Sequence, residues 1–171
     1  MKIVLLGYMA SGKSSVGKKL AKILSMKFLD LDDYIIKKEK MSITKIFETK
    51  GEVYFRLIEN NYLKEVLAKN GDFILALGGG TPCYANNMDV VNKEDVVSVY
   101  LQGSTQTMIN RLLKKKSKRP LIASLPDDKI PEFVAKHLFE RRPFYEQAKM
   151  KIKIDDKTKK EVAKELEILF N

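Results

Sequence analysis

The sequence predicts an α/β chain, a three-layer helix–sheet–helix sandwich around a five-stranded parallel sheet. Three observations carry this. Short apolar runs alternate along the chain with longer segments whose apolar residues recur at helical spacing. The first three runs end near Gly7, Asp30 and Gly78, so these residues should cluster on the carboxyl edge of the sheet, where such folds bind ligands. The 171 residues suit one domain, at about 100–200 residues per domain, and can bury a core without disulfide or metal staples.

Lys2 to Leu6 is a short apolar run ending at Gly7, as a buried parallel strand should be. From Lys13 to Leu24 the residues Val16, Leu20, Ile23 and Leu24 recur at helical spacing. Lys27 to Leu31 reads as a second strand, with a helix from about Asp33. Ser42 to Phe47 reads as a short capped helix ending near Gly51. Glu52 to Ala68 reads as a longer helix with Phe55, Ile58, Tyr62 and Val66 inward, broken by Asn70-Gly71-Asp72. Phe73 to Leu77 is a third strand running into Gly78-Gly79-Gly80, and Val96 to Leu101 a fourth, followed by a helix from Ser104 to about Leu113. Between Lys114 and Asp128 the pattern dissolves into Lys, Ser, Pro and Asp, and a loop is expected. A helix from Pro131 to about Gln147, a strand from Lys151 to Ile154 and a helix from Thr158 to Phe170 complete a single domain over residues 1–171.

Composition narrows the classes. Hydrophobic residues make up 44%, too many for a disordered chain. The single cysteine, Cys83, excludes an internal disulfide framework and suits a reducing compartment, and it is assigned no chemistry. No apolar run approaches the ~18 residues of a membrane span, and no signal peptide is read at the N-terminus, so a cytoplasmic location is expected. The net charge of +10 fits nucleic acid, an anionic membrane or small anionic substrates, but a solvated lysine-rich surface covers most of it.

Gly7-Tyr8-Met9-Ala10-Ser11-Gly12-Lys13-Ser14 satisfies G-x-x-x-x-G-K-[ST], with a strand before it and a helix after. Glycines let backbone N–H groups curl around phosphate oxygens, and the helix N-terminus adds partial positive charge. Lys13 should reach the β- and γ-phosphates of a nucleoside triphosphate and the Ser14 hydroxyl should ligate Mg²⁺. The motif leaves the phosphate acceptor open.

Acidic and basic residues elsewhere suggest one. Asp30-Leu31-Asp32-Asp33 ends the second strand; one acid could hold hydrated Mg²⁺ and another accept a hydroxyl proton, while helix capping by Asp32 or Asp33 explains the same residues. Arg56 and Glu59 are helix neighbours, either an ordinary surface ion pair or a carboxylate aiming an arginine fork at an acidic substrate. Three consecutive glycines after a buried strand suit close approach of a ligand, or a tight turn. Arg111 and the run Lys114 to Arg119 place six cations in nine residues, either a solvated charge run or a loop that delivers an arginine to the transferring phosphoryl. Pro143 should kink or interrupt its helix and could turn Arg141 toward the sheet edge. His137, among alternating charges, is expected on the surface.

These segments together resemble the shikimate kinase family over Lys2 to about Leu169. The resemblance rests on the phosphate loop, Asp30-Leu31-Asp32, Gly51-Glu52 with Phe55-Arg56 and Glu59, Gly78-Gly79-Gly80, Arg119-Pro120-Leu121, and Arg141-x-Pro143-x-Tyr145 with Ala148. It implies a P-loop, nucleoside-monophosphate-kinase-like fold with a substrate-binding region at about 32–60 and a lid at about 114–128. It further implies transfer of the γ-phosphate of Mg²⁺-ATP to the 3-hydroxyl of shikimate, on the route to chorismate and aromatic amino acids. Lys13, Asp32 and Arg119 would be catalytic. Asp32, Arg56, Gly78, Gly79, Gly80 and Arg141 would bind shikimate. Gly7, Ala10, Ser11, Gly12, Lys13, Ser14, Ser15, Arg119 and Ile154 would hold the nucleotide, and Ser14 and Asp30 the Mg²⁺ shell. Family members are expected to be monomers that bind neither nucleic acid nor membrane. Ala10 stands where glycine is common, a change expected to be harmless, and Ile154 replaces a frequent threonine. A gluconate kinase would share the phosphate loop without needing the paired arginines or the glycine triplet. A basic nucleic-acid-binding NTPase would be expected to show an aromatic platform among its basic residues.

Overall fold

The computed structural model describes residues 1–114 and 120–170. Its centre is a parallel sheet of β1 (Lys2–Leu6), β2 (Lys27–Asp30), β3 (Phe73–Ala76), β4 (Val96–Gln102) and β5 (Met150–Lys153), in the order β2-β3-β1-β4-β5. The first strand therefore lies in the middle. Ile3, Val4, Leu5 and Leu6 are fully buried, with β3 paired on one side and β4 on the other. That placement explains why the run is apolar without alternation, since both faces of a parallel sheet are covered.

Helices α1 (Lys13–Ile23), α2 (Leu31–Glu39), α3 (Ile43–Leu67), α4 (Asn87–Val91), α5 (Thr105–Lys114), α6 (Pro120–Ala123), α7 (Ile130–Tyr145) and α8 (Lys159–Phe170) fill the connections. α1 packs against α8, α2 against α3, and α5 against α7. Among the described residues no helix is long and apolar enough to cross a membrane.

Three local outcomes differ from expectation, and one agrees. The helix after β2 starts at Leu31, two residues early, because the Asp30 carboxylate caps it by accepting from the Asp32 N–H at 3.0 Å. Capping thus falls to Asp30, and Asp32 sits inside the first helical turn. The break expected near Gly51 is present: α3 is two helical segments joined at Gly51, which takes φ 83° and ψ 171°. Pro143 does not interrupt α7; it lies in the last turn, two residues before the end, and costs the helix the one hydrogen bond its missing N–H would have given the Phe139 carbonyl. The 3-10 turn Thr81–Cys83 and α4 were absent from the sequence reading, being too short to show a helical period.

Candidate active site

The phosphate loop joins β1 to α1. The Lys13 ammonium lies inside it, donating to the carbonyl oxygens of Gly7 at 2.9 Å and Tyr8 at 3.0 Å. Ser11 is buried, its hydroxyl 3.5 Å from the same ammonium. Ser14 donates to the Asp30 carboxylate at 2.6 Å, so the two residues expected to flank a metal are adjacent. A cavity of about 670 Å³ opens beside the loop, lined by Ala10, Gly12, Lys13, Ser14 and Ser15, by Asp30 and Asp32, and by Gly78 and Gly79. Its far wall carries Arg111 and the segment 157–160.

Arg111, given only a weak role from the sequence, is built into this wall. Its Nη1 donates to the carbonyls of Ala10 at 3.3 Å and Ser11 at 3.2 Å, and its Nη2 to that of Ile154 at 3.3 Å. Ile154 itself is buried, with its side chain against Gly103. Its carbonyl is held by Arg111, and its side chain does not line the cavity. Arg119 lies outside the described residues.

The glycine triplet is where the acceptor residues meet. A Cβ at Gly78 would lie 3.2 Å from the Asp32 carboxylate, and one at Gly79 would lie 3.4 Å from Arg141 Nη1 and 3.2 Å from the Met9 amide nitrogen. One at Gly80 would lie 2.8 Å from Arg56 Nη2 and 3.3 Å from Arg141 Nη2. A side chain at Gly80 would overlap the Arg56 guanidinium, and one at Gly78 or Gly79 would press on Asp32 or the Met9 amide, so the triplet keeps the backbone close to all of these groups. Two cations from helices far apart in sequence thus converge on one strand end, beside the phosphate loop.

Buried polar contacts hold them. Glu59, 1% exposed, accepts from Arg56 Nη1 at 2.9 Å and from the Thr81 hydroxyl at 2.7 Å, so the pair is no surface ion pair. Asn87 donates to the Thr81 carbonyl at 2.8 Å and Asn60 donates to Asn87 at 2.7 Å. Arg141 hydrogen-bonds the Tyr145 hydroxyl, which donates to the Gly79 carbonyl at 2.5 Å. Pattern reading missed Thr81, Asn60 and Asn87, although a polar residue directly after the triplet was a signal.

The electrostatics divide the site. Burial, with Asp30 and Glu59 nearby, pushes the Asp32 carboxyl up to about 6 against the opposing pull of Lys13. Burial pushes the Cys83 thiol up to about 11, leaving it neutral. His137 is half-buried, not on the surface: its Nδ1 is 2.9 Å from the Tyr8 hydroxyl, and burial with Arg141 close by holds the imidazole down at about 4.

Comparison with known proteins gives the family and the fold. A family model described as shikimate kinase matches residues 9–169. A shikimate kinase of Flavobacterium johnsoniae is 48% identical over 165 residues, 96% of each chain. Among solved structures, shikimate kinase from Bacteroides thetaiotaomicron superposes with a TM-score of 0.90 at 32% identity, covering 99% of this chain and 98% of its own. Shikimate kinase from Acinetobacter baumannii in complex with shikimate gives 0.85 at 32% identity, covering 99% and 92%.

Proposed function

The chain belongs to the shikimate kinase family, and from that membership we propose how its residues divide one phosphoryl transfer from ATP to the 3-hydroxyl of shikimate. The single observation that carries the assignment is the convergence of Arg56 and Arg141 on Gly80, with Asp32 at Gly78 and the phosphate loop alongside. Two guanidinium forks suit a carboxylate, which they can engage through paired hydrogen bonds. Asp32 is placed to face the ring hydroxyls from the same floor.

Phosphoryl transfer asks for positioning and charge neutralisation more than covalent chemistry. The loop amides and Lys13 hold the β- and γ-phosphates. The shikimate oxygen attacks the γ-phosphorus, its proton passes to the Asp32 carboxylate, and the bond to the bridging oxygen breaks to release ADP. Ser14 and Asp30, two hard oxygen donors 2.6 Å apart, fit Mg²⁺, which takes few protein ligands and keeps several waters. Held by Ser14 and Asp30, that ion would supply charge neutralisation to the triphosphate. Arg119 adds positive charge from the segment at about 114–128, which acts as a lid on the single domain of residues 1–171. Residues at about 32–60 form the substrate-binding region. The enzyme works as a cytoplasmic monomer on ATP and shikimate, on the route to chorismate.

The test is acceptor-dependent ADP release with shikimate, with gluconate and with no acid. Release with shikimate alone is expected. Arg141→Ala and Arg56→Ala should each weaken shikimate binding by calorimetry about 10-fold or more, as loss of a charge-assisted bond implies, and leave nucleotide binding close to unchanged. Unchanged shikimate affinity in Arg141→Ala would remove that arginine from the acid site.

A further inference from the structure

Arg56 is enclosed by aromatic rings, and the nearest belongs to a residue with no role so far. The Tyr84 ring centroid lies 3.8 Å from the Arg56 guanidinium carbon, with Phe55 at 5.1 Å and Phe47 at 6.0 Å. Phe47 and Phe55 sit on α3 with Arg56 itself. Tyr84 comes from the opposite side, just past the glycine triplet and the 3-10 turn, and is 37% exposed. Its ring therefore stands between the guanidinium and solvent.

The backbone that presents this ring is unusual. Ala85 and Asn86, immediately after it, take φ values of 50° and 52°, a left-handed conformation that L-residues other than asparagine rarely adopt. Two such residues in succession persist only where surrounding contacts over-determine them. Those contacts are present: Asn60 donates to the Ala85 carbonyl at 3.3 Å and to Asn87, and fully buried Asn87 donates to the Thr81 carbonyl. The buried asparagine pair thus fixes both ends of the turn whose product is the stacked ring.

We propose that Tyr84 is a positioning residue of the acid-substrate site: it covers the outer face of the Arg56 guanidinium, so that the fork stays desolvated and aimed at Gly80. Glu59 already takes one Nη1 hydrogen from below. Nε lies 3.6 Å from the Glu52 carboxylate, so with one face stacked it is the Nη groups that are left toward the triplet, where Arg141 also points. A guanidinium shielded from water attracts a carboxylate more strongly than a solvated one, and stacking removes side-chain freedom that binding would otherwise have to freeze. The proposal rests on the reading of Arg56 as a carboxylate ligand.

The experiment is steady-state kinetics of Tyr84→Ala, Tyr84→Phe, Arg56→Ala and the double variant Tyr84→Ala/Arg56→Ala, varying shikimate and ATP separately. Tyr84→Ala is expected to raise the shikimate KM about 5- to 20-fold, the range a desolvated cation–ring contact supports, with kcat and the ATP KM within about two-fold. Tyr84→Phe, which keeps the ring, should stay within about two-fold of the parent. In the Arg56→Ala background the Tyr84→Ala loss in kcat/KM should vanish, because the ring acts through the arginine. A Tyr84→Ala shikimate KM within two-fold, a Tyr84→Phe variant as impaired as Tyr84→Ala, or a loss that persists without Arg56 would each overturn the proposal. Normal shikimate kinetics in Arg56→Ala would overturn the premise as well, which separates the two failures.

Discussion

Asp32 is a carboxyl held in a place that disfavours its charge, and that placement has two readable consequences. Its value of about 6 keeps it ionised at neutral pH while making it a stronger base than an ordinary aspartate. With Asp32 as proton acceptor, kcat/KM for shikimate should fall about ten-fold per pH unit below about 6, and Asp32→Asn should lower kcat by about 10²- to 10⁴-fold and abolish that limb. The same shift acts on folding. Between about 4 and 6 the native carboxyl keeps a proton that the unfolded chain has released, so stability declines as pH rises through that window. Asp32→Asn should therefore be more stable than the parent at pH 8, by about 3 kcal/mol in urea melts, and level with it at pH 3. Ala10 carries a smaller strain: at φ 65° it occupies a left-handed conformation that costs an alanine about 1–2 kcal/mol, so the replacement of glycine there is not free.

Among the elements, α3 shows how one residue sets a site. Gly51 has a φ/ψ pair that only glycine takes readily, and a Cβ there would meet nothing within 4 Å. Gly51→Ala should therefore cost about 1–3 kcal/mol through the backbone alone. Since the bend separates Phe47 from the half that carries Phe55, Arg56 and Glu59, it should also raise the shikimate KM while sparing that for ATP; kinetics beside thermal melts would show both. Much of this was legible beforehand. Five strands, the phosphate loop and the break at Gly51 have local signatures, namely apolar runs, a fixed spacing and a glycine. The Tyr8–His137 contact and the Asn60–Asn87–Thr81 chain do not. They depend on which strand ends lie side by side, and a histidine among charged residues looks solvated until the loop facing it is known. The helix start was misplaced because Asp30, Asp32 and Asp33 are equally good caps by residue type, and only the end of pairing with β3 selects Asp30.

At the scale of the whole molecule, the charge of +10 is partly gathered by the fold. Lys19 from α1, Lys114 from α5, and Lys157, Lys159 and Lys160 at the start of α8 all line the cavity beside the phosphate loop. The runs at 114–119 and 157–160 are visible in the sequence, but not that Lys114 and residues 157–160 meet at one cavity. A polyanionic nucleotide should be drawn to it, and exposed charges are screened strongly by salt. Raising KCl from about 0.05 to 0.5 M, which shortens the screening length from above ~10 Å to ~4 Å, should raise the ATP KM several-fold. The shikimate KM should move less, because Arg56 is sheltered by Tyr84 and Glu59. Parallel rises in both would assign the effect to bulk ionic strength.

The strand order has a consequence for how the chain is made. β1 is made before the other four strands but has no neighbour until Phe73–Ala76 and then Val96–Gln102 have been synthesised. Until Phe73 is reached this apolar strand, together with the loop that will grip the nucleotide, waits without a hydrogen-bonding partner. Once the sheet is complete, that strand is the one that cannot fray, since both its neighbours would have to be stripped away first. The nucleotide anchor is thus born exposed and ends as the part of the molecule released last.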